Sequence, residues 1–158
     1  MPQPPTRKAT KGPDVTKEGA RGFRFIDDLT SDVYFEAWGR TLEDAFAAAA
    51  EAVAEVMCKT RLVRMKKALQ LKATGKNLED LMFNWLQTVI QTVDIEQTLL
   101  SRFEVESVDP KGRSIAGTAW GEEMRPELGG TQVKGVTYYK FSFKKEGAVW
   151  KATASLDV

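Results

Sequence analysis

Three aspartates crowd one short stretch, "GFRFIDDLTSDVYFEAWG" from Gly22 to Gly39. Asp27, Asp28 and Asp32 fall there between residues that otherwise alternate like two short strands. A turn needs one Asp to bond nearby backbone N–H groups. Two or more carboxylates in one place serve another chemistry, either acid–base work or the capture of a cation. The rest of the composition narrows the choice. The chain has no histidine and a single cysteine, Cys58, which removes Ser-His and Cys-His nucleophilic arrangements and leaves zinc without its usual nitrogen and sulfur ligands. An intrinsic metal site must therefore be built from oxygen, which suits calcium, magnesium or manganese. Asp157 and the terminal carboxylate of Val158 are candidate partners, because "LDV" closes the sequence in a strand-like stretch. If that strand lies beside the "TSD" turn, Asp32, Asp157 and Val158 form an oxygen nest whose charges repel until a divalent cation neutralises them. Without that pairing the three aspartates are loop-capping groups, and spacing alone leaves both readings open.

Cationic chemistry is the second possibility. Lys and Arg number 23 against 22 Asp and Glu, a net charge of +1, so the whole-chain balance neither announces nor excludes a nucleic-acid partner. Residues 58 to 76, "CKTRLVRMKKALQLKATGK", are basic without one acid. Arg61, Arg64 and Lys67 are close enough in sequence to form a phosphate-contacting patch on tRNA. No aromatic residue interleaves to stack bases, which favours a solvated strand and loop. "GGTQVKGVTYY", Gly129 to Tyr139, is glycine-rich but lacks the spacing and following helix of a phosphate-binding loop. Lys134 is the residue there suited to ionic work, while Tyr138 and Tyr139 read as packing groups. A few carboxylates with no base or nucleophile arrangement specify no reaction of their own.

The elements that must position these groups can be read from periodicity. The length, 158 residues, suits one domain with a real core. "MPQPPTRKATKGPDVTKEGARG", residues 1 to 22, is rich in Pro, Gly and charge and reads as a disordered leader, which leaves 23–158 as the folded domain. Arg7, Lys8 and Lys11 are followed by no apolar h-region, and no apolar run approaches the ~20 residues of a membrane span, so a cytoplasmic, reduced protein is expected. Phe23 and Phe25, then Val33, Phe35 and Ala37, alternate as strands about the Asp-rich turn. "TLEDAFAAAAEAVAEVM" is a helix with Thr41 as N-cap and Asp44 three residues on, its alanine face set on a sheet and Glu43, Asp44, Glu51 and Glu55 facing water. Leu69, Leu71 and Ala73 alternate as a strand, and Asn77 caps a second helix with a broad apolar face. The last third is strand-rich: 101–109, 114–120, a long strand 133–144 with Tyr139, Phe141 and Phe143 on one face, and 149–158 with Asp157 opposite its apolar face. Strands around two helices make a single α+β domain with mixed or antiparallel sheets.

Six pieces in order resemble one family. "FIDDLTSDV", "GRTLEDAF", "LEDLMFNWL", "SRFEVE", "GTQVKGVTYY" and the closing "LDV" are similar to the segments of the archease family, and the resemblance runs from about Phe23 to Val158. It implies an α+β domain with a carboxylate-lined divalent-cation site whose ligands are Asp32, Asp157 and Val158, holding calcium, magnesium or manganese. It implies a protein that catalyses nothing alone. The family's role is to promote guanylylation of the tRNA-splicing RNA ligase of the RtcB type and to sustain its multiple turnover. A chaperone-like influence on tRNA methyltransferases is the alternative that the resemblance carries, and Lys134 is the expected partner-contact residue. The chain departs from the family pattern where Asp27-Asp28-Leu29, one residue longer and without the imidazole, stands in place of an Asp-His pair, and where Tyr139 stands in place of a histidine.

Overall fold

A computed structural model of the chain describes residues 21–26 and 32–158. Among them the order is β1 (Arg21–Phe25), β2 (Val33–Gly39), α1 (Leu42–Met57), β3 (Lys67–Thr74), α2 (Leu78–Glu96), β4 (Thr98–Val108), β5 (Ser114–Glu123), β6 (Gly135–Glu146) and β7 (Val149–Asp157). The strands form a four-stranded sheet, β1-β2-β7-β6, and a three-stranded sheet, β3-β5-β4. Every pairing within them is antiparallel, and the expected α+β class is what the chain adopts. The first strand takes in Arg21 and Gly22, which the sequence had assigned to the leader; the rest of that leader lies outside the described residues, as do Asp27 and Asp28.

Both helices start where their caps require. The Thr41 hydroxyl accepts the Asp44 N–H at 3.0 Å, and the Asn77 side-chain oxygen accepts the Asp80 N–H at 2.8 Å, each satisfying an amide that the first helical turn leaves without a partner. Helix α1 is more enclosed than one apolar face suggests. It packs against β1 and β2 of one sheet and β4 of the other, and Ala45 to Ala50, with Ala52 and Val53, are fully buried. A run of small side chains lets both sheets approach one helix, which explains a helix apolar on most sides. Its acids are correspondingly engaged: Arg21 reaches Asp44 at 3.3 Å and Glu51 at 2.8 Å. The indole N–H of Trp85 in α2 donates to the Phe46 carbonyl of α1 at 3.0 Å, so the two helices are joined by a buried polar contact within the core.

Close approach demands glycine at the β4–β5 turn. Gly112 has φ +80°, and a Cβ there would sit 2.1 Å from the carbonyl carbon of Asn77, the α2 N-cap. The turn therefore seats directly on the start of α2, and only a residue without a side chain fits.

The four-stranded sheet presents two faces. Phe23, Phe35, Ala37, Phe143, Ala152, Ala154 and Leu156 are buried on the core side. The opposite face carries a charged row in which Glu36 accepts Arg24 at 2.9 Å and Lys151 at 3.1 Å. Strand β6 is not the uninterrupted strand its alternation suggests. It pairs Thr137 with Ser155 and next Ser142 with Thr153, five steps along β6 against two along β7. The additional residues bulge out, and Tyr139 leaves the face it was expected to share with Phe141 and Phe143.

Candidate metal centre and its surroundings

The expected site residues meet at one end of the four-stranded sheet. Strand β2 opens at Val33, level with Leu156 of β7, so Asp32, one residue earlier, comes level with Asp157. Strand β6 opens at Gly135, level with Asp157 on the other side, and the Lys134 N–H just before it donates to the Asp157 carbonyl at 2.7 Å. Val158 follows, partly buried against the core. Antiparallel pairing thus brings the backbones of three segments far apart in sequence, carrying Asp32, Lys134 and Asp157 with Val158, to the same end of the sheet.

Asp32 lines a shallow depression in which the oxygen-bearing Tyr34, Glu55 and Thr131 stand beside apolar Phe25, Ile26, Val33 and Val56. Among the described residues no three His, Cys, Asp or Glu side chains are gathered as a ready-made cage. Asp32 and Asp157 supply two carboxylates, and a third donor would be a main-chain oxygen of Val158. Two anionic oxygens with a main-chain oxygen, open to solvent on one side, fit a hard divalent cation that retains water ligands and do not fit a thiophilic one. Cys58 is no rival ligand. Burial, with the charge of Glu55 added, pushes its thiol up to about 12, and its Sγ is turned to the carbonyls of Ala54 and Leu100.

Lys134 borders a second feature. A cavity of about 530 Å³ opens between α2 and the segment from Met124 to Lys134, with Met57, Ile90, Val93 and Leu99 as its apolar wall. The basic run is elsewhere. The Lys59 ammonium donates to the Glu127 carbonyl at 3.1 Å, and Thr60 to Leu62 form one 3-10 turn. Lys67 and Lys72 lie on β3, an edge of the three-stranded sheet. The run is anchored by Glu122, a buried carboxylate that accepts the Arg64 N–H at 2.7 Å. That hydrogen bond, with Arg125 nearby, holds Glu122 below its ordinary value against the opposing effect of burial.

Sequence reasoning missed the β6 bulge. Tyr138 and Tyr139, expected as packing groups, are 74% and 41% exposed. Tyr138 lies parallel on Phe83, with ring centroids 4.1 Å apart, and Tyr139 meets Tyr34 edge-on. The Lys140 ammonium stands 5.3 Å from the Tyr139 ring and 5.8 Å from that of Tyr34. The bulge is clamped by hydroxyls: Tyr139 N–H donates to Thr137, Ser155 donates to the Tyr139 carbonyl, and Thr153 donates to the Lys140 carbonyl. Lys140 has φ +51°, a left-handed conformation that costs a residue bearing a Cβ roughly 1–2 kcal/mol. A clamped, strained bulge of this kind is a built feature. Its one legible signal was the run of two tyrosines and a lysine, which alternation disguised as strand.

The Archease protein family matches residues 23–158. Two relatives named protein archease, from Sulfurisphaera tokodaii and Methanothermobacter thermautotrophicus, are each 35% identical; the matches cover 86% and 87% of this chain and 98% and 99% of theirs. The solution structure of Methanobacterium thermoautotrophicum protein 1598 superposes with a TM-score of 0.75 at 34% identity, covering 87% of this chain and 99% of that one. A Thermotoga maritima crystal structure, described as an archease and possible chaperone, shares the fold with a TM-score of 0.61 at 18% identity, covering 85% and 97%.

Proposed function

The chain belongs to the archease family, and from that premise we infer that it is a non-catalytic activator of the tRNA-splicing RNA ligase of the RtcB type. It promotes guanylylation of the ligase and sustains repeated turnover in tRNA splicing. Asp32, Asp157 and Val158 hold a divalent cation, calcium, magnesium or manganese, at the surface that meets the ligase, and Lys134 contacts the partner beside it. The observation that carries this reading is the strand register that sets Asp32 level with Asp157, with Lys134 bonded to the Asp157 main chain.

A bound cation would supply the positive charge that two facing carboxylates lack. The chain's own residues do the rest. Strand pairing sets the backbone positions of the two aspartates side by side before a partner arrives, which leaves less to order on docking. The Lys134 ammonium has no ion pair among the described residues and borders the apolar cavity, which gives the partner one charged and one apolar contact side by side. The test is a guanylylation assay with catalytic amounts of the protein. Stimulation by the wild type, and its loss in a folded Asp32→Ala, Asp157→Ala double variant, is the expected result.

A second reading has support in one relative's description. The Thermotoga maritima archease is described as a possible chaperone, which accords with a module that assists a tRNA methyltransferase or tRNA itself through the basic run Lys59 to Lys76. Salt-sensitive tRNA binding that falls when Arg61, Arg64 and Lys67 are neutralised is the result that would favour it.

A further inference from the structure

We propose that the β6 bulge, with Tyr138 on the α2 side of the edge strand and Tyr139, Lys140 and Tyr34 on the opposite face of the sheet, is a binding surface for unpaired nucleotides of single-stranded nucleic acid that passes over this edge. The edge carries the two groups that such a ligand needs, an open aromatic plane on one side of β6 and a cation on the other, within reach of a strand that crosses it. Tyr138 is held parallel on Phe83, 3° from coplanar, and is nonetheless 74% exposed. One ring face is therefore fixed by stacking while the ring is presented to solvent, so a base that adds to the stack finds the plane already oriented. Lys140 stands over Tyr139 and Tyr34 on the opposite face of the same edge strand.

The charge along β6 has the sign that a phosphate backbone requires. Lys140, Lys144 and Lys145 are all exposed, against one acid, Glu146, which is drawn toward Lys151 at 3.6 Å. Lys144 and Lys145 make no ion pair among the described residues, and Lys145 stands 5.9 Å from the Trp150 ring. Lysine and aromatic side chains thus interleave along one edge. The basic run on the other sheet lacks this pattern: the ring beside it, Trp120, is capped by Arg102 at 5.9 Å.

The hydroxyl clamp makes the surface pre-organised. Ser155 donates to the Tyr139 carbonyl and Thr153 to that of Lys140, so the left-handed turn at Lys140 is held before any ligand arrives. A strained, non-glycine residue that carries a cation to a pair of tyrosines is a local conflict of the kind that marks binding sites.

The test titrates the full chain into fluorescein-labelled, unstructured oligonucleotides of about ten residues, followed by anisotropy at low salt. RNA and DNA of the same sequence are separate arms. Saturable binding is expected. Tyr138→Ala should weaken it about tenfold, Tyr138→Phe should leave it within about twofold, and a duplex of the same sequence should compete poorly. Lys140→Gly removes the charge at a backbone position that glycine adopts without strain, and it should lower the slope of log affinity against log salt by about 0.7. Tighter binding of RNA gives the ribose hydroxyl a part, whereas equal binding assigns recognition to base and phosphate alone; either accords with the proposal. Absence of saturable binding in both arms overturns it. So does wild-type affinity in both Tyr138→Ala and Lys140→Gly, or loss only when Arg61, Arg64 and Lys67 are neutralised. If the bulge variants abolish ligase stimulation while no oligonucleotide binds, the surface is a protein interface and the proposal is wrong.

Discussion

Ser155→Ala tests the clamp on the β6 bulge, and its cost can be worked from the bonds in place. Ser155 is fully buried. Its hydroxyl lies 2.5 Å from that of Thr137 and 3.2 Å from the Tyr139 carbonyl. A carbonyl only accepts, so Ser155 donates to Tyr139; Thr137 must then donate to Ser155, and its oxygen accepts the Tyr139 N–H at 3.3 Å. Each hydroxyl donates once and accepts once in a ring that begins and ends on Tyr139. Alanine removes two of these bonds. At about 1 kcal/mol each, with a further penalty for any group left unsatisfied, the loss is about 2–3 kcal/mol. For a chain of this size that corresponds to a fall in Tm of about 4–12 °C. Urea unfolding followed by circular dichroism and tryptophan fluorescence measures it, and a cycle with Thr137→Val should show a coupling of at least about 0.5 kcal/mol. A loss below about 0.5 kcal/mol, or strict additivity in the cycle, would refute the relay.

Three other outcomes follow from the same geometry. Glu122 has its folded value depressed by the Arg64 N–H, so its contribution to stability is full above the ordinary carboxylate range and is lost as pH falls through the depressed value; urea midpoints measured from pH 6 downward should fall in the wild type, with a shallower fall in Glu122→Gln. Cys58, with its thiol pushed up to about 12, is about one part in ten thousand thiolate at pH 8, and native protein should be alkylated at least about a hundredfold more slowly than free cysteine, the difference vanishing in denaturant. Calcium, magnesium or manganese at a hundred times its Kd should raise the wild-type Tm by about 5–10 °C, whereas Asp157→Asn should show almost no shift; an equal shift in that variant places the ion elsewhere.

Local signals reported local structure well. Thr41 and Asn77 announced their helices because a cap is a bond between near neighbours. The strand alternation of 149–158 survived as β7, with Asp157 at its exposed end. Non-local facts fared differently. The order β1-β2-β7-β6 and the level placement of Asp32 with Asp157 depend on pairing between residues at opposite ends of the chain, which no local period encodes. The site was accordingly reached through family resemblance, and spacing left it open. The bulge escaped because "TYYKFSF" alternates acceptably as strand, while the hydroxyls that draw it out belong partly to β7. The enclosure of α1 escaped for a related reason: alanine is compatible with either one or two packed faces, and the second sheet that decides the matter comes from residues beyond Lys66.

The proposal stands on two linked ideas, that the protein activates the ligase and that Asp32 and Asp157 act together at the contact. The most direct measurement is the rate of ligase guanylylation with a substoichiometric amount of wild type or of the Asp32→Ala, Asp157→Ala double variant, each shown to be folded by its melting transition. Acceleration by the wild type, and a rate indistinguishable from ligase alone with the double variant, is the expected result. Full stimulation by the folded double variant would contradict it.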